Sequence, residues 1–175
     1  KCVLHCCKTN EFDSDNEEVM KTFHDLLFGY IVRNLKNESG IKLEEEVARN
    51  HINNPNSSPN LKIYTNFYDI HFPSKSQSTN YQFYNLLSKL TGFASTGCTF
   101  NFSDFNFKHL RLRFIDCTFN KGFNVDSDYI VNTNYEVIPS NKNDLNFLNC
   151  VFLDNIFLKT RKDRVFNFMD HLFQD

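Results

Sequence analysis

Phenylalanine returns in this chain at intervals of five. Phe100, Phe105 and Leu110 are spaced so, as are Phe114 and Phe119, one step out of phase, and then Phe147, Phe152 and Phe157. A helix would scatter such residues around its circumference, and a flat strand would send alternate ones to opposite faces. A chain that turns a corner every five residues would keep all of them inside, which predicts a solenoid. Within the pattern, Phe-x-Asp/Asn-x-x-Phe is written as FYDIHF (67–72), FIDCTF (114–119) and FLNCVF (147–152).

With 175 residues the chain is long enough for one domain with a real core. It holds 20 Phe, no Trp and only 5 Gly, with abundant Asn, a bias that fits an AT-rich genome. A formal net charge of -2 argues against a broadly basic nucleic-acid surface. The one dense basic run, KTRKDR (159–164), reads as a solvated helix face. No apolar run approaches the length that spans a bilayer. The chain begins at Lys1 rather than Met, so an upstream segment is expected to have been removed or to lie outside it. Asn37, Asn56 and Asn101 stand in Asn-x-Ser triplets, which an Asn-rich chain contains by chance.

Residues 17–36 have the apolar spacing of an amphipathic helix, with Val19, Phe23, Leu26, Leu27, Tyr30 and Ile31 inward and His24 outward. Ser14 and Glu17 form a capping-box signature. Residues 42–52 predict a short charged helix with Leu43, Val47 and Ile52 to bury, followed by a polar, Pro-bearing loop at 53–60. The segment 61–72 predicts extended structure, 78–91 a helix capped by Ser78 or Thr79, and 124–144 a polar insertion. Val165, Met169, Leu172 and Phe173 predict a terminal helix over 162–174 that covers the open end of the stack. The division expected is a helical segment, 1–60, and a Phe-rich extended segment, 61–175, sharing one core.

At GCTFNFSDFNFKHLRLRFIDCTF (97–119) and FLNCVFLDNIF (147–157) the chain resembles the pentapeptide-repeat family. The resemblance implies an α+β fold in which the N-terminal helices pack on a short right-handed parallel β-helix, with a C-terminal capping helix. Its inward centres would be Phe100, Phe105, Phe119, Phe152 and Phe157. The small inward partners would be Cys98, Ser103, Cys117, Cys150 and Asn155. Lys108 stands where a small residue is expected, and the insertion interrupts the run. The family is mostly non-catalytic, so the resemblance implies an interaction module binding an unidentified protein. Degenerate repeats fused to helices also occur in secreted bacterial effectors that act in host cells as virulence factors. The DNA-mimic role of some members needs a longer, more acidic tower than this one; otherwise a cytoplasmic location is expected.

Of the six cysteines, Cys98, Cys117 and Cys150 lie in apolar patterns and are expected to be buried reduced thiols. Cys2, His5, Cys6 and Cys7 cluster at the start, but no second Cys/His pair lies at zinc-finger spacing, so no metal or other cofactor is expected. The competing functional reading is a cysteine-dependent hydrolase or transferase using Cys6 or Cys7, with His71 or His109 as base; Cys98 with His109 is a further pair. No phosphate loop, zinc-protease helix or nucleophile elbow is present.

Overall fold

The computed structural model describes residues 2–5, 16–55, 61–74, 81–105, 111–126, 130–132, 144–159 and 172–173. Its recurring unit is a long strand, a sharp corner and a short strand. The units are β2 (Ile63–Tyr68) with β3 (His71–Phe72), β4 (Gly92–Thr96) with β5 (Thr99–Phe100), β6 (Arg111–Ile115) with β7 (Thr118–Phe119), and β10 (Asp144–Leu148) with β11 (Val151–Phe152). The corners are Asp69, Gly97, Asp116 and Asn149, with φ of 54°, 65°, 51° and 49°. Asp, Asn and Gly tolerate this left-handed conformation better than other residues. The Asp or Asn of the Phe-x-Asp/Asn-x-x-Phe pattern is therefore the corner, and its two Phe residues flank it from adjoining walls.

Long strands pair with long strands and short with short, in parallel and in register. Ser95 pairs with Phe67 and Phe114, and Phe114 with Phe147. Phe100 pairs with Phe72 and Phe119, and Phe119 with Phe152. At the corner the N–H of Asp69, Gly97 and Asp116 donates forward to Thr96, Ile115 and Leu148. Past the corner Thr99, Thr118 and Val151 donate back to Ile70, Cys98 and Cys117. The bend therefore leaves none of these amides unpaired.

Inside the walls the Phe rings form a column. Phe72–Phe100, Phe100–Phe119 and Phe119–Phe152 lie 4.9, 5.1 and 4.8 Å apart at 5°, 12° and 8°. The 4.8 Å pair meets the spacing expected of equivalent centres in adjacent layers, within the range of favourable ring pairs. Ser95 is the small residue among Phe67, Phe114 and Phe147. The ring of Phe93 fills its layer, edge-on to Phe67 at 5.4 Å and to Phe114 at 6.0 Å.

This architecture corrects the expected right-handed pentapeptide β-helix. The six-stranded sheet is mixed, because β1 (Lys36–Asn37) runs antiparallel to β2. A five-stranded and a two-stranded parallel sheet and three helices complete it, and no right-handed β-helix is evident among the described residues. The corners at 69, 97, 116 and 149 are unequally spaced along the chain. Phe157, an expected centre, lies in β12 (Ile156–Lys159) and is 58% exposed; Asn155 is also exposed, and Ser103 is half-buried. β12 pairs with β8 (Phe123–Asp126), where Phe123 stacks on Phe105 at 4.3 Å.

The expected terminal helix is corrected where it is described. Leu172–Phe173 is a strand, β13, parallel to β11, and the rest of the expected span 162–174 lies outside the described residues. The insertion supplies β9 (Ile130–Asn132), parallel to β10 on the side away from β6. The far end of both main sheets is thus extended by strands.

Helices cover the other end. α1 (Glu17–Asn34) begins at Asn16, whose side chain accepts from the N–H groups of Glu18 and Val19; Ser14 lies outside the described residues. Phe23 and Leu27 are fully buried, Tyr30 is half-buried, and Leu26 faces out. Phe23 meets Phe72 and Phe83 edge-on at 6.2 and 5.5 Å. His24 is half-buried, its ring 6.0 Å from that of Tyr81. α3 is shorter than expected, Phe83–Leu87, and α2 is Glu45–Asn53, burying Ala48, His51 and Ile52 while Val47 stays exposed. One apolar cluster runs from Leu4 to Phe152.

The outer edge of β2 is closed piecewise. β1 pairs with Ile63 and Tyr64, and Leu4 O accepts from His71 N at 2.9 Å. Between them the Tyr30 hydroxyl donates to Asn66 O at 3.0 Å and accepts from Tyr68 N–H. One phenol thus substitutes for a strand partner. Tyr30→Phe should lower stability by about 1–3 kcal/mol, because two backbone groups lose their partner. Urea denaturation of both proteins checks this, and equal midpoints would refute it.

His51 finds no partner for Nδ1 among the described residues, and burial lowers its pKa below the usual imidazole value. The unfolded chain therefore takes up this proton at higher pH than the folded one. The stabilising contribution is complete above the ordinary value of 6.5 and is lost as pH falls through the lower folded value. Thermal melts between pH 7.5 and 5 should show a shallower acid decline for His51→Gln than for the native chain, and parallel declines would exclude His51 as the source.

Candidate functional site

Because the strands are in register, residues on the outer face of the long-strand sheet form rows across it. Alternation places Tyr64, Asn66 and Tyr68 of β2 outward, between the buried Ile63, Thr65 and Phe67. The register carries each position across. One row runs Lys36, Tyr64, Gly92, Arg111. The next runs Asn66, Ala94, Arg113, Asn146, and the last Tyr68, Thr96, Ile115, Leu148. A polar row centred on an exposed Arg113 therefore lies beside a row bearing Tyr68, Ile115 and Leu148.

Local sequence shapes this face. Tyr68 is 52% exposed, and its hydroxyl accepts from Asn66 Nδ2 at 3.3 Å. A Cβ on Gly92 would meet Arg111 O at 2.5 Å and the Tyr64 ring at 3.0 Å, so only glycine lets Tyr64 and Arg111 close over that point. Burial raises the pKa of Tyr64, and Arg111 partly opposes the rise. At the margin Lys62 Nζ donates to Glu38 Oε1 at 2.8 Å and holds that carboxyl below its ordinary value. Hydrophobic periodicity does not disclose these rows, since they depend on which strands pair.

The thiols are arranged for packing. Cys98, Cys117 and Cys150 each follow a corner and are buried and not disulfide-bonded, as expected. Cys117 Sγ donates to Ile115 O at 3.2 Å and Ser95 O at 3.4 Å, and Cys150 Sγ to Leu148 O at 3.4 Å and Phe114 O at 3.6 Å. Each of these two thiols thereby links its layer to the preceding one. Hydrogen bonds with Cys150 and Cys98, followed by burial, push the Cys117 thiol far up. In the closed fold it is not a nucleophile at neutral pH. Cys2 is exposed. Cys6, Cys7 and His109 lie outside the described residues, while the N-terminal segment runs beside His71 through Leu4. No His/Cys/Asp/Glu group suited to a metal occurs among the described residues, and none of their helices is long and apolar enough to cross a membrane.

Sequence alone would assign Cys117→Ser the cost of an unpartnered buried hydroxyl, but Ser95 O and Ile115 O are positioned to receive it. The serine variant should therefore lose less than about 1 kcal/mol, whereas Cys117→Val, which cannot donate to either carbonyl, should lose more. Denaturant unfolding of the pair decides this, and an equal or greater loss for serine would contradict it. No protein-family model, curated protein or solved structure matches the chain.

Proposed function

We propose that this chain is a non-catalytic protein-interaction module, part of a bacterial effector delivered into a host cell, and that it binds a host protein through the outer face of the long-strand sheet. The observation carrying this reading is the juxtaposition of the Tyr68–Thr96–Ile115–Leu148 row with the Asn66–Ala94–Arg113–Asn146 row. Tyrosine and arginine are enriched among the residues that dominate binding energy, and apolar centres bordered by hydrogen-bonding groups are the usual anatomy of interfaces. The rows are held on a hydrogen-bonded sheet, so little ordering is needed on association.

Size constrains the partner. Four strands about 4.8 Å apart, each offering about 13 Å of length, present roughly 200–300 Å². A stable interface takes about 800 Å² from each side. The rows are therefore its centre, and the partner also covers the exposed corners Asp69, Asp116 and Asn149.

The test is parallel capture from host-cell lysate with the native chain, Tyr68→Ala and Arg113→Glu, each first confirmed folded by circular dichroism. A protein retained by the native chain should be lost at least tenfold by either variant, whose changed side chains are solvent-facing. Equal retention by all three would overturn the assignment of this face.

A further inference from the structure

We propose that Cys98, Cys117 and Cys150 form a peroxide-oxidisable thiol column in which Cys117 makes a disulfide with either neighbour, one at a time, while Cys98 and Cys150 do not join each other. The geometry follows from register. Each cysteine directly precedes a short strand, and Thr118 pairs with both Thr99 and Val151. The cysteines thus lie on successive layers, about one parallel-strand spacing, or about 4.8 Å, apart. Disulfides require Cα separations of about 4.4–6.8 Å. Adjacent members satisfy that window. Cys98 and Cys150 are about two spacings apart, roughly 9–10 Å, and do not.

The side chains also meet. Cys117 is close enough to both neighbours for their proton affinities to shift, upward for Cys117 and downward for Cys98 and Cys150. None of the three is disulfide-bonded, and each is no more than 1% exposed. The cysteine backbones are fixed in the ladder: Cys98 O accepts from Thr118 N at 2.9 Å and Cys117 O from Val151 N at 2.8 Å. The column has an odd number of members, so one thiol is always left over.

The oxidant is a small peroxide, comparable to water in size and admitted by local opening. One sulfur attacks the peroxide O–O bond, giving a sulfenic acid and, after proton transfer, one water. The neighbouring sulfur attacks the sulfenic sulfur, forming the S–S bond and releasing the second water. Two thiols and one hydrogen peroxide thus become one disulfide and two waters. The local opening that admits the peroxide also lifts the burial that helps hold the proton on Cys117, so either member of a pair takes the first step and the other resolves the sulfenic acid.

The experiment uses the full chain with Cys2, Cys6 and Cys7 replaced by Ser, so that only the column's thiols remain. After hydrogen peroxide treatment it is denatured, alkylated and peptide-mapped. Free thiols should fall from three to one, with Cys98–Cys117 and Cys117–Cys150 peptides both recovered and no Cys98–Cys150 peptide. Cys117→Ala should form no disulfide. Should that variant fail to fold, Cys98→Ala and Cys150→Ala must each retain the single cross-link still open to Cys117. A Cys98–Cys150 peptide, a disulfide in Cys117→Ala, links only between chains, or three thiols persisting after peroxide would each overturn the proposal.

Discussion

The structure depends on one constraint: successive corners must stack. A left-handed residue at Asp69, Gly97, Asp116 or Asn149 turns the chain, and the N–H groups on either side must still find carbonyls in neighbouring layers. Only in-register parallel pairing satisfies both. Once the register is set, the Phe column, the thiol column and the outer rows follow, because each is the same position repeated from layer to layer. A slip of one residue in any layer would send its Phe outward and its Tyr or Arg into the core.

The ends of the stack solve different problems. At the first layer the edge of β2 and β3 meets an antiparallel strand, a phenol and the Leu4 carbonyl in turn, while α1 and α3 bring Phe23 and Phe83 over the ring of Phe72 and bury it. Open sheet edges invite pairing with other chains. Closing one edge with three unrelated elements leaves no long run of free backbone there. At the last layer the sheets are instead continued by β9 and β13.

Much of the interior was legible in the sequence. The interval of five marked Phe114–Phe119 and Phe147–Phe152 as inward pairs, and the small residues beside them as buried thiols. The interval does not hold throughout, however, and extending it put Phe157 inside when it is exposed. The Leu172–Phe173 pair suited a helical pattern equally well, and pairing with β11, remote in sequence, decides for strand. The burial of His51 is not legible in the sequence, because it stands in a charged helix. The outer rows could not be read at all, since Arg113 and Tyr68 are unrelated until register sets them on one face.

The layer formed by β9 and β13 has a kinetic consequence. Its strands come from separate parts of the chain, and neither pairs with the other; each rests on β10 or β11. Neither can persist before those templates exist. The layer is therefore last to assemble and first to fray, in keeping with the slow gain of non-local contacts in folding. Stability falls toward that far layer, and amide exchange should be fastest in β9 and β13.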